Sequence, residues 1–171
     1  METWIEFLVW LEQTAFAAWV RESSSLWAYP SILILHTIGL GFLVGINAAI
    51  DLRIIGFGSG TPIAAMKSFF PVMWIGFWVN AVSGIALTIA DATTILTNPV
   101  FYIKMVSIVL ALVTIRLLRG QVFGDPGLDA APVPAKGRVL AWASLFFWAV
   151  AITAGRLTAY IGPVSGLDSV R

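Results

Sequence analysis

The chain has 171 residues, 59% of them hydrophobic and 11% charged, with a formal net charge of +1 and a mean hydropathy of +0.92. Such proportions lie far from soluble-domain averages and predict an all-α integral membrane protein, one domain over residues 1–171 with no room for a separate soluble unit. A near-neutral chain without a basic tract is not expected to bind nucleic acid, and the lack of cysteine excludes disulfides, thiolate metal sites and a Cys nucleophile.

Residues 1–22 are apolar but interrupted by Glu2, Glu6, Glu12 and Gln13. Glu2, Glu6 and Gln13 share one helical face and Trp4, Leu8, Leu11 and Ala15 the other, which predicts an amphipathic helix lying in the membrane surface with Trp10 and Trp19 as interfacial anchors. A fifth span here would bury Glu6, Glu12 and Gln13. No basic segment precedes it, so it reads poorly as a signal peptide.

Residues 30–51 form the first expected span, opening at Pro30, with Asp51 and Arg53 marking its exit. It carries the only histidine, His36, about 9 Å in from Pro30 at 1.5 Å per residue. Leu40, Leu43 and Asn47 share the face of His36, while Gly41 and Gly45 lie opposite in a small-xxx-small pattern suited to close contact, including contact with a second copy. Glycines 56, 58 and 60 with Pro62 mark a loop, and residues 64–70, with Lys67, form a brief amphipathic approach.

The second span, residues 71–90, ends at Asp91 and shows a stripe of Met73, Gly76, Asn80, Gly84, Leu87 and Asp91 at helical spacing, with Ser83 beside it. Asn80 is a polar contact between helices or part of a site. The third, residues 99–118, places Lys104 one turn inside and in line with Ser107, Ala111 and Thr114; its ammonium either snorkels to the interface or holds an anion. Residues 119–138 form a Gly/Pro/Ala-rich loop, and the fourth span, residues 139–160, carries Arg156 with Thr153 and Tyr160 alongside.

Alternating passage gives an antiparallel four-helix bundle. The two loops that share a side hold Arg53, Lys67, Arg116, Arg119, Lys136 and Arg138, so the positive-inside rule places them in the cytoplasm and both termini outside. His36, Asp91, Lys104 and Arg156 then come from four helices to one depth. An imidazole is the common ligand of haem iron, and neighbouring cations suit its propionates, so these residue types fit haem b, with Met105, Met73 or a second copy's imidazole as the other axial ligand, or none. The same residues are also satisfied without a cofactor, as His36 with Asp91 and Arg156 with Tyr160.

The run YPSILILHTIGLGFLVGINAAIDLRIIGFG, followed by NPVFYIKMVSIVLALVTIRLLR, resembles a group of small bacterial membrane proteins with an early His, a D-L-R-x-x-G exit and an F-x-x-K start to a later span. More distantly it is similar to the HemJ-type protoporphyrinogen oxidases and the CopD-type copper-resistance proteins. That resemblance implies a bacterial cytoplasmic membrane, haem at His36, and roles for Arg53 and Lys104 as the exit arginine and later lysine. The expected function is a haem-b-binding redox or electron-transfer protein acting on a quinone or porphyrin. The alternative is a non-enzymatic membrane-complex subunit or a small permease whose polar stripe lines a pathway.

Overall fold

The computed structural model describes residues 2–125, 127–130, 132–158 and 160. Among these the chain is all helix: α1 Glu2–Glu12, α2 Ala15–Glu22, α3 Tyr29–Ile55, a 3₁₀ helix Ile63–Phe69, α4 Phe70–Ala90, α5 Ala92–Leu96, α6 Pro99–Gln121 and α7 Ala135–Leu157. Four stretches, Tyr29–Ile55, Ile63–Ala90, Pro99–Gln121 and Ala135–Leu157, are long and apolar enough to cross a membrane.

Local chemistry sets the ends. Pro30 opens α3, where its missing N–H costs nothing, and Gly56 stops it at φ +123, a conformation that side chains resist. Asn98 caps α6 by accepting from the Val100 N–H at 2.9 Å, and Pro99 follows as the first helical residue. The expected continuous helix over residues 1–22 is instead two. Thr14 breaks it, its hydroxyl donating to the Leu11 carbonyl at 2.7 Å and accepting from the Ala17 N–H at 3.3 Å, so the same oxygen ends α1 and caps α2.

This pair of helices is docked on the bundle. Leu8, Ala17 and Val20 are fully buried, α1 against α5 and α2 against α4. The Glu12 carboxylate accepts from the N–H and hydroxyl of Thr93 at 2.6 and 2.7 Å, and Arg21 donates to the Ala90 carbonyl at 3.1 Å, capping α5 and α4 respectively. Trp4, Phe7 and Trp10 stack along the outer face of α1, whose expected apolar face is buried only at Leu8.

The long helices meet as two pairs, α3 with α4 and α6 with α7, joined through α3 and α7. A Cβ on Gly39 would lie 2.6 Å from the Asn80 nitrogen, and one on Gly76 2.8 Å from the Phe42 Cβ, so these two glycines set the α3–α4 approach. Gly41 and Gly45 have nothing within 4 Å and face outward. Along that crossing His36 meets Gly84, and Gly39 and Leu43 meet Gly76; along α6–α7, Lys104 meets Gly155 and Val122 meets Gly137. The core holds Leu43, Ile50, Met73, Ala111, Ile115 and Trp148, while Ile75, Trp78, Val106, Trp142 and Phe146 cover the exterior. An outside this apolar is far beyond what a water-soluble monomer exposes.

Candidate functional site

Gly39 and Gly76 bring α3 and α4 close enough for the His36 side chain to reach the α4 backbone. Its Nδ1 lies 2.9 Å from the Asn80 carbonyl and 3.2 Å from the Ser83 hydroxyl. Asn80 returns the contact, its amide donating to the His36 carbonyl at 2.8 Å. A carbonyl only accepts, so Nδ1 carries the proton in this bond and Nε2 is the acceptor, with the Asn80 amide nitrogen 3.4 Å from it. Gly84 is the third small residue here, since a Cβ would stand 2.9 Å from the imidazole Cε1.

Lys104 is half-buried, with its methylenes against Gly155 and its ammonium 6.0 Å from the Phe101 ring centroid. The other expected site residues are placed differently. Asp91 caps the end of α4 and is exposed; Arg156 and Tyr160 are exposed, as is Thr153. The buried residues of α7 are Gly137, Ala141, Ser144, Trp148, Ala151 and Ala154, so the Arg156 stripe lies off the face that packs inward. Among the described residues no hydrogen bond or ion pair links Asp91, Arg156 or Tyr160 to His36. No group of three metal-ligating side chains is found among them either.

A second polar cluster was not anticipated. Asp51, read from the sequence as the exit of the first span, is 0% exposed, and α3 continues beyond it to Ile55. The Asn47 amide donates to Asp51 Oδ2 at 2.6 Å and contacts the Ser144 hydroxyl of α7 at 2.8 Å, and both Asn47 and Ser144 are buried. Asp51 Oδ1 has no partner, and neither has Trp148 Nε1, one turn along α7 from Ser144. Both ion pairs among the described residues belong to Arg21, so no cation balances the carboxylate. An unmade buried hydrogen bond costs about 1–3 kcal/mol, and an uncompensated buried charge several. The signal for this cluster was available: Leu43, Asn47, Ile50, Asp51 and Ile54 recur at helical spacing and are all buried.

Outside the four apolar stretches a loop carboxylate is held by two backbone donors. Asp129, at φ +73, accepts from the Ile63 and Ala64 N–H groups at 2.7 and 2.9 Å and so caps the 3₁₀ helix from a distant loop. The Ala64 and Ile63 donors, with lesser help from Arg53 and Lys67, hold its carboxyl below the usual range.

Comparison with protein-family models, with curated proteins and with solved structures finds no match for this chain.

Proposed function

We propose that the chain is a small multi-pass protein of a bacterial cytoplasmic membrane, a permease or membrane-complex subunit in which Asp51 is the intramembrane proton-exchanging group. The buried, half-partnered carboxyl carries this reading. Ionisable residues inside membrane helices mark ion pathways and proton relays by default, because their cost is otherwise unrecovered. Asn47, which also contacts Ser144, holds Asp51 at the junction of α3 and α7, while its second oxygen is open to a proton. The order of contacts along α3–α4 and α6–α7 supports an antiparallel four-span arrangement, and the basic loops support termini outside. Outward-facing Gly41 and Gly45 leave a surface on which a second copy can pack.

Infrared difference spectroscopy of the protein in liposomes, stepped in pH, tests the site. A protonated-carboxyl band should appear and disappear with pH and be absent from Asp51→Asn, while that variant stays folded. A pH-invariant spectrum, or a band that survives in Asp51→Asn, overturns the reading.

One observation favours the haem reading. A histidine ligand normally donates its other ring nitrogen to a carbonyl or carboxylate, as His36 does to Asn80. His36 would hold haem iron through Nε2, which the Asn80 amide 3.4 Å away would have to yield, and the half-buried Lys104 would serve a propionate; Arg156, Tyr160 and Asp91 are too exposed to complete such a site without a partner. Haem there would supply one-electron chemistry toward a quinone or porphyrin. Protein from haem-sufficient cells should show a Soret band that His36→Ala removes; its absence, with no uptake of added haemin, sinks this reading.

A further inference from the structure

Between α4 and α6, at the end where α4 begins and α6 finishes, the bundle is open. One cavity of about 620 Å³ lies between Trp74 of α4 and Val109, Leu112, Val113, Arg116 and Arg119 of α6. A second, of about 380 Å³, is lined by Lys67, Phe70, Trp74, Arg119 and Phe123, and shares Trp74 and Arg119 with the first. The volumes fall in the range of small-molecule sites.

The polarity of this groove is graded along its length. Phe70 and Phe123 meet edge to face with centroids 5.1 Å apart and form its floor, and the Arg119 guanidinium lies 5.5 Å from the Phe70 ring. Arg116 and Arg119 are exposed and form none of the ion pairs among the described residues, and no carboxylate lines either cavity; Lys67 shares its charge with Asp129. From Arg119 the wall runs back to Val109, about 15 Å along the helix axis, with only apolar side chains on the α6 side above Arg116. A cationic mouth at the helix ends over an apolar channel opening sideways complements an amphiphile with an anionic head and a hydrocarbon tail.

We propose that this groove is a binding site for an anionic phospholipid, its phosphate held by Arg116 and Arg119 with Lys67 at the rim, and the upper part of an acyl chain lying against Trp74, Leu112 and Val113. It rests on the membrane-spanning reading, which puts the helix ends at headgroup depth. Basic pockets between membrane helices are a recurrent means of holding such headgroups, each nearby cation adding to the attraction. The guanidinium fork suits a phosphate better than an ammonium does, and its stacking on Phe70 orders it in advance.

Native mass spectrometry of the full chain released from mild detergent tests the site, with phosphatidylglycerol, phosphatidylcholine and soluble glycerol phosphate as probes. Phosphatidylglycerol should bind in preference to phosphatidylcholine, and the double variant Arg116→Gln/Arg119→Gln should lose about thirty-fold of that preference. Trp74→Ala should weaken both lipids alike while leaving the preference in place. Equal binding of the two lipids, or a preference untouched by the double variant, overturns the proposal. So does glycerol phosphate binding as tightly as the lipid, which would make this a soluble-phosphate site. A dimer abolished by the double variant would assign the groove to a second copy instead. Co-flotation with liposomes is read separately: failure to float sinks the spanning reading, whereas flotation without the preference sinks only the groove.

Discussion

Glu12 accepts two hydrogen bonds from Thr93, one from its backbone N–H at 2.6 Å and one from its hydroxyl at 2.7 Å, across 81 positions of sequence. A carboxylate at the first turn of α5 satisfies a donor that the helix itself cannot, and it fastens the end of α1 to the α4–α5 junction. Removal of a cap typically costs about 1 kcal/mol, so Glu12→Ala should raise hydrogen exchange at the Thr93 amide about five-fold and make the α1–α2 pair more open to protease. Unchanged exchange at Thr93 would show that the contact contributes nothing.

Gly39→Ala should be among the most damaging single changes. Its Cβ would stand 2.6 Å from the Asn80 nitrogen and 2.8 Å from the Gly76 oxygen, both backbone atoms that can yield only if the helices part. Overpacking of this kind costs about 1–3 kcal/mol, measurable as a lower unfolding midpoint in mixed micelles. Gly41→Ala, with nothing within 4 Å, should leave that midpoint unmoved, and bulky replacements at Gly41 and Gly45 should reduce any dimer. Equal sensitivity at positions 39 and 41 would contradict this packing.

The cap from Asp129 makes one tether pH-sensitive. Its folded-state value lies below the unfolded one, so the charged form stabilises the tether above the unfolded value, and that contribution is lost as pH falls through the folded value. The window therefore lies below about pH 4. Asp129→Asn tolerates the same positive φ but lacks the charge, so amide exchange at Ile63 and Ala64 should be faster in the variant at neutral pH and converge with the parent in acid. Parallel curves at all pH values would remove the carboxylate from the explanation.

Topology is open to direct labelling. With termini outside, a cysteine at Ser24 should react with a membrane-impermeant reagent in intact cells, and one at Ala130, in the long loop, only after permeabilisation; both positions are exposed. The reverse pattern inverts the orientation.

The four long apolar helices were legible from run length alone, and the inward stripe of α4 from its period, since Met73, Gly76 and Ser83 are buried. Asp51 was not, because a charged residue near the end of an apolar run ordinarily marks the interface, and only contact with α7 shows that the helix continues inside the bundle. For Arg156 the period was read correctly but not its direction, since a single helix does not say which neighbour it faces. The glycines illustrate the same limit. Gly39 and Gly41 are two positions apart, yet one is pressed against backbone and the other faces open space. Thr14 was passed over because its capping role depends on a hydroxyl bonding two helices at once.

The bond from Asn47 to Asp51 joins residues on successive turns of one helix, whereas Ser144 belongs to a segment synthesised nearly a hundred residues later. On the membrane-spanning reading proposed above, α3 would leave the ribosome and enter the bilayer long before α7 exists. An aspartate costs about 2.5–3.5 kcal/mol at the centre of an inserting helix on translocon scales and less toward its end, where Asp51 lies. Asn47 would provide a donor from within the same helix, so the acid would enter lipid already half satisfied, and Ser144 would later join the cluster through Asn47. The one partner of the carboxyl would thus be in place before the helix that closes over it is made.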